Sequence, residues 1–112
     1  MSDQELLELA AKAAGVDFDG NTFIKRDRYS SNIWDPLFDD GDALRLAVQL
    51  GMRVYVYSGG GDNVTVVAND ELAAKDAPHI SEAHGEDKLS ATRRAIVRAA
   101  AEMAKTAGQI NP

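Results

Sequence analysis

The alternation of side chains over residues 52–58 is the sequence feature that most constrains the fold. Val54 and Val56 fall on one face of a strand there, and polar or aromatic side chains fall on the other. A glycine-rich turn follows at residues 59–63, and a run of β-branched residues then supplies a return strand. The pattern predicts a central β-hairpin over about residues 52–68.

The second face of this hairpin is also apolar, because we assign Tyr55, Tyr57 and Val67 to it. An apolar sheet face has to be covered by another layer of the protein. We therefore expect helices on both sides of a small, mainly antiparallel sheet. The predicted fold class is α+β, with the three layers of an α/β/α sandwich.

Helical periodicity is clear in three other parts of the chain. The predicted helices span about residues 3–14, 42–50 and 90–107. Ser2 and Glu5 have the spacing of a capping box at the first helix, and Gly15 supplies its end. Gly51 and Gly108 supply the ends of the other two helices.

The segments between these elements are expected to be mostly irregular. Residues 22–29 have the character of a short strand, although four of them are charged. Residues 30–42 are interpreted as an ordered loop that packs on the core. Residues 69–88 are interpreted as a long loop with one helical turn near residues 71–75, and loops of that length are often functional.

The length of the chain, 112 residues, is that of one domain, so we assign residues 1–112 to a single sandwich domain.

No apolar run is long enough to span a membrane, and the acidic start at residues 1–5 lacks the features of a secretory signal. The absence of cysteine excludes disulfides and thiolate zinc sites, and it fits the cytoplasm.

The charge balance bears on the class of partner. The formal net charge is −6, and affinity for nucleic-acid phosphates comes mainly from Lys and Arg. We therefore expect no nucleic-acid partner. We also expect no membrane partner, because no apolar run is long enough, and no cofactor, because no cofactor-binding motif is present.

Three segments carry a family resemblance. They are ELLELAAKAAG at residues 5–15, WDPL at residues 34–37 followed by DDGDALRLAV at residues 39–48, and ATRRAIVRAAAE at residues 91–102. Together they resemble the phage ABA sandwich domain family, which consists of small proteins encoded by bacteriophages and prophages. The resemblance implies an α/β/α sandwich that acts in the cytoplasm of a host bacterium. It implies no reaction and no catalytic residues.

Four carboxylates, Asp35, Asp39, Asp40 and Asp42, lie at the start of the second predicted helix. A hard cation such as Mg²⁺ or Ca²⁺ binds such oxygens, but the spacing is not that of a calcium-binding loop. Carboxylates at a helix N-terminus also cap its free backbone amides. We predict capping and no metal site.

The histidines, His79 and His84, have acidic residues nearby. Their spacing matches no zinc-binding pattern, and the sequence ties no nucleophile to them. We expect solvated or structural histidines, and we assign no catalytic residue.

Arg93, Arg94 and Arg98 cluster in the first half of the last predicted helix, where an anion is favoured by the free backbone amides. They are the clearest indication of a ligand site, and the alternative is that they form salt bridges with nearby acids. Trp34 serves either as a core anchor or as an interface residue. These four residues are the candidate binding residues.

The family resemblance, the lack of a catalytic constellation and the long loop at residues 69–88 together favour a non-enzymatic phage accessory protein that binds a host or phage macromolecule. A symmetric homodimer is the simplest form of self-association. The alternative function is binding or processing of a small anionic ligand, such as a nucleotide, at Arg93, Arg94 and Arg98.

Overall fold

The computed structural model describes residues 2–18, 23–26, 31–59, 63–69 and 80–110. The helices are α1 (Asp3–Ala14), α2 (Asp40–Gln49) and α3 (Lys88–Ile110). The strands are β1 (Asp17–Phe18), β2 (Phe23–Arg26), β3 (Ser31–Ile33), β4 (Met52–Tyr57), β5 (Val64–Asn69) and β6 (Ile80–Ala83). The fold is of the predicted α+β class, with three helices close to the predicted positions.

The strands form two antiparallel sheets, in the orders β1-β2-β3 and β4-β5-β6. Strands β4 and β5 form the predicted hairpin, with Val54 opposite Val67 and Val56 opposite Thr65. The alternating pattern identified this hairpin because its two strands are neighbours in sequence and pair through a short turn.

The register assigns Val67 to a different face from the one that the sequence suggested. Directly opposite residues of an antiparallel pair point to the same face, so Val67 shares the face of Val54 and not that of Tyr55. Thr65 lies on this face too and contacts Thr92 of α3. Helix α3 therefore covers the Val67 face, while Tyr55 on the opposite face is 45% exposed. The three-layer order stays a prediction.

Helix α3 is the centre of the fold, because it packs against α1, α2 and all three strands of the second sheet. Most of its buried side chains are small: Ala91, Ala95, Ala99, Ala100 and Ala101. Alanine favours the helical conformation and allows neighbouring elements to approach closely. As a result, polar side chains of α3 reach elements on several sides of it.

Glycine was used to predict where helices end, and the structure confirms this prediction for α1 but not for α3. Ser2 caps α1 by accepting a hydrogen bond from the Glu5 amide at 3.1 Å, and Gly15 follows with a φ of 72°. Both features were predicted. Helix α3 instead continues through Gly108 to Ile110, so the predicted end at Gly108 was wrong. A glycine inside a helix costs only about 1 kcal/mol relative to alanine, which a helix can tolerate.

Two segments that were predicted to be loops contain regular structure. Residues 69–88 include β6, in which Ile80 pairs with Val67. Residues 30–42 include β3 and the first turn of α2. These short elements depend on pairing and packing with other elements, so a local pattern does not identify them. The helical turn predicted near residues 71–75 lies outside the described residues.

Among the helices of the described ranges, none is both long and apolar enough to cross a membrane.

Candidate functional site

The three arginines of α3 extend toward different neighbours. Successive residues of an α-helix point about 100° apart, so Arg93 and Arg94 project in different directions. Arg94 and Arg98 are one turn apart and lie on the same side. The structure therefore divides the predicted cluster into one separate arginine and one pair.

Arg93 contacts the segment that leads into α2. Its Nε atom donates to the Leu37 carbonyl at 2.9 Å, and its Nη1 atom lies 2.6 Å from Oδ1 of Asp40. The Arg93 side chain is only 15% exposed. Arg93 therefore anchors the start of α2 to α3.

Arg94 and Arg98 are also held by acceptors of the chain itself. Nη2 of Arg94 lies 2.7 Å from Oδ1 of Asp3 at the start of α1. Nη1 of Arg98 lies 2.6 Å from Oε2 of Glu82 and 3.0 Å from the Ser81 carbonyl on β6. All three arginines therefore form salt bridges with acidic residues of the chain, which was the alternative to a ligand site. Each salt bridge joins α3 to a different element.

Arg94 and Arg98 line a cleft of about 400 Å³. The other lining residues are Leu6, Ile80, Glu82, Glu102 and Lys105. Lys105 is paired with Glu102 at 3.2 Å. An anionic ligand in this cleft would have to displace carboxylates that already neutralise its cations.

The N-terminus of α3 is capped by the chain itself. Oδ1 of Asp87 accepts hydrogen bonds from the amides of Leu89 and Ser90, at 3.1 and 3.2 Å. The amides that would favour an external anion are therefore already bound to a carboxylate. This reduces the support for an anion site beside Arg94.

His84 has a buried, structural position. It is 6% exposed, and its Nε2 atom lies 2.9 Å from Oγ1 of Thr65, which in turn lies 2.7 Å from Oγ1 of Thr92. The His84 amide donates to the Asn63 carbonyl at 2.9 Å. This network joins β5, the segment after β6, and α3. His79 lies outside the described residues.

The aspartate cluster caps α2, as predicted. Oδ1 of Asp39 accepts from the Asp42 amide at 2.9 Å. Asp42 is 2% exposed, and its Oδ2 atom accepts from the Asp35 amide at 2.9 Å. Within the described part of the chain, no group of His, Cys, Asp and Glu side chains is arranged to hold a metal ion.

Trp34 lies in the core and is 5% exposed. Of the two predicted roles, Trp34 therefore has that of a core anchor, and its ring is not accessible to a partner. An indole of this size stabilises a fold most when its apolar surface is removed from water.

Exposed apolar side chains lie on two elements, α2 and β4, that the sequence interpretation did not identify as binding surfaces. Leu44 and Val48 on α2 are 64% and 73% exposed. The side chains of β4 are also uncovered from Val54 to Tyr57, with exposures of 37% to 51%. The sequence does contain a signal, because residues 43–61 include no Asp or Glu in a chain with 18 acidic residues. Such surfaces commonly mark sites of protein interaction.

Comparison with protein-family models, curated proteins and solved structures gives no match for this chain. The resemblance to the phage ABA sandwich domain family therefore stays a prediction.

Proposed function

We propose that this protein is a non-enzymatic, phage-encoded interaction module that binds a host or phage protein in the bacterial cytoplasm. The exposed apolar flank of α2 carries the proposal. Leu44 and Val48 are four residues apart on the helix, so they lie next to each other and form one patch. We call Leu44, Arg45 and Val48 the α2 surface.

The apolar side chains of the α2 surface are not needed to pack this helix against the core. Helix α2 already buries Ala43, Leu46 and Ala47 in the core. Leu44 and Val48 lie outside that buried stripe and remain in water, where their apolar area contributes nothing to folding. A protein partner that covers them would recover this hydrophobic contribution.

Charge indicates the chemistry of the partner. The Arg45 side chain is 70% exposed, and its Nη1 atom lies 3.4 Å from Oδ1 of Asp42, whose side chain is 2% exposed. Residues 43–61 carry Arg45 and Arg53 and no acidic residue, although the whole chain has a net charge of −6. The surface thus fits a polypeptide that presents apolar side chains next to carboxylates.

The alternative, a small anionic ligand at Arg93, Arg94 and Arg98, has less support. Each guanidinium is held at 2.6–2.7 Å by a carboxylate of the chain and is at most 39% exposed, whereas Arg45 is 70% exposed and lies 3.4 Å from its carboxylate. This alternative predicts that a nucleotide raises the melting temperature and that Arg94→Ala/Arg98→Ala abolishes the increase. Unchanged melting temperatures with nucleotides would exclude it.

Affinity capture from bacterial lysate tests the proposed function if the wild type is compared with a variant of the α2 surface and with a control variant. The Leu44→Ser/Val48→Ser variant removes apolar area without changing charge. The matched control is Leu89→Ser, which removes apolar area at a 59% exposed position of α3 and likewise leaves the charge unchanged. We expect a protein that is captured by the wild type and the control, is lost with the α2 variant, and binds the purified chain with the same dependence. Equal capture by all three proteins would contradict the proposal.

A further inference from the structure

We infer that β4 is a pairing strand for a second copy of this chain. In the inferred dimer, β4 of each copy lies antiparallel to β4 of the other, and the two three-stranded sheets become one continuous sheet. Tyr55 of one copy lies opposite Tyr55 of the other. The inference goes beyond the proposed function, because it names a second copy of the chain as a partner and assigns it a strand separate from the α2 surface.

The first observation is that β4 is a sheet edge. Among the described residues, β4 pairs with β5 alone. An edge strand leaves alternate backbone N–H and C=O groups available to another strand. Proteins usually protect such edges with charged side chains, proline or bulges, and β4 contains no lysine or proline and one charged residue, Arg53.

The second observation is that both faces of β4 are apolar and exposed. Val54 and Val56 are 37% and 51% exposed on one face, and Tyr55 and Tyr57 are 45% and 48% exposed on the other. Val56 and Tyr57 thus remain half-exposed although β4 is part of the central sheet. A strand that pairs with this edge should present apolar residues on both faces, and β4 itself has that pattern.

The third observation is that one register makes β4 complementary to itself. A two-fold axis perpendicular to the sheet keeps the same face of both copies on the same side, so residues of equal parity oppose each other. With Tyr55 opposite its own copy, Val54 lies opposite Val56, and Arg53 lies opposite Tyr57. No like charges face each other in this register.

The tyrosines already have a suitable arrangement. The rings of Tyr55 and Tyr57 stack along one face of β4, with centroids 6.4 Å apart and an angle of 21° between their planes. Adding the second copy extends this stack across the two-fold axis. A register shifted by two residues in either direction no longer places Tyr55 opposite its own copy, and it places either Tyr57 opposite Gly51 or Arg53 opposite Gly59.

Charge also selects this edge. Two copies of a chain with a net charge of −6 repel each other, and the repulsion is smallest where carboxylates are absent. The whole of β4 lies inside the segment from residue 43 to residue 61, which contains no Asp or Glu. Pairing through β4 therefore joins two copies without opposing acidic residues.

The chain contains no cysteine, so engineered single cysteines give a direct test of the register. Directly opposite residues in an antiparallel pair have Cα atoms about 4.5–5.5 Å apart, which is within the range of a disulfide. We expect Tyr55→Cys to form a covalent dimer on mild oxidation. Arg53→Cys and Tyr57→Cys should form few dimers separately and should crosslink to each other when mixed. Equal dimer formation by all three variants separately would overturn the register.

Sedimentation of the unmodified chain tests the dimer itself. We expect Val56→Lys to raise the dissociation constant at least about tenfold, because two lysines then lie beside the axis. Ser81→Lys, on the exposed part of β6 at the opposite edge, should leave it unchanged, and circular dichroism should show both variants folded. A wild-type chain that stays monomeric at ~100 μM would overturn the inference, since a micromolar dimer is formed at that concentration.

The two proposals fail differently. A monomer whose partner capture still depends on Leu44 and Val48 would overturn the dimer and leave the proposed function standing. A β4-dependent dimer that captures no other protein would support the dimer and contradict the wider function.

Discussion

The Nε2 atom of His84 lies 2.9 Å from Oγ1 of Thr65, and both side chains are buried. Thr65 also contacts Thr92, so one hydroxyl on β5 joins the segment after β6 to α3. The Nδ1 atom of His84 is buried and has no hydrogen-bond partner among the described residues. The position of Thr65 makes it the centre of the polar network in the core.

We predict that Thr65→Val lowers the free energy of unfolding by about 1–3 kcal/mol. Valine keeps the shape of threonine but leaves buried polar atoms of His84 and Thr92 without their partner. Urea denaturation of Thr65→Val, Thr92→Val and the double variant measures the effect. The double variant should lose less than the sum of the single losses, because one hydrogen bond is removed in both. Additive losses, or an unchanged Thr65→Val protein, would contradict this role.

We predict that Arg93 matters more for stability than Arg94. Arg93→Ala removes a mostly buried guanidinium with two acceptors and should cost about 1.5–3 kcal/mol. Arg94→Ala removes a more exposed ion pair and should cost about 0–1 kcal/mol. Arg93→Lys should not restore full stability, since an ammonium group cannot reproduce the planar geometry of both contacts. Equal unfolding free energies for both alanine variants would show that this ranking is wrong.

The sequence predicted those parts of the fold that local patterns determine. The alternation around Val54 identified the central hairpin, and the cap formed by Ser2 identified the start of α1. Strand β6 was missed because it has four residues and is stabilised by pairing with β5. Val67 was assigned to the wrong face because the turn length, which sets the register, is not fixed by the pattern of β5 alone.

The candidate site was predicted less well than the fold. The sequence identified Arg93, Arg94 and Arg98 as a cluster, but their partners Asp40, Asp3 and Glu82 come from other parts of the chain. Only the tertiary structure brings these charges together. Helical periodicity places Leu44 and Val48 outside the buried stripe of α2, but it does not show whether another element of the fold covers them.

The packing of α3 gives a further prediction. Ala99 is fully buried at the centre of the fold, so Ala99→Leu should lower the free energy of unfolding by about 1–3 kcal/mol through overpacking. Ala104→Leu, at a partly exposed position of the same helix, should change it by less than about 0.5 kcal/mol. Chemical denaturation compares the two variants. Similar losses at both positions would indicate a general effect on the helix and not close packing around Ala99.

The most direct test of the interaction function is site-specific photo-crosslinking in bacterial cells. A benzophenone amino acid replaces Val48 on the α2 surface in one protein and the exposed Glu8 on α1 in the other. The account predicts a discrete adduct with another protein from position 48 and none from position 8. No adduct from position 48, or the same adduct from both positions, would contradict the claim that α2 presents a protein-binding surface.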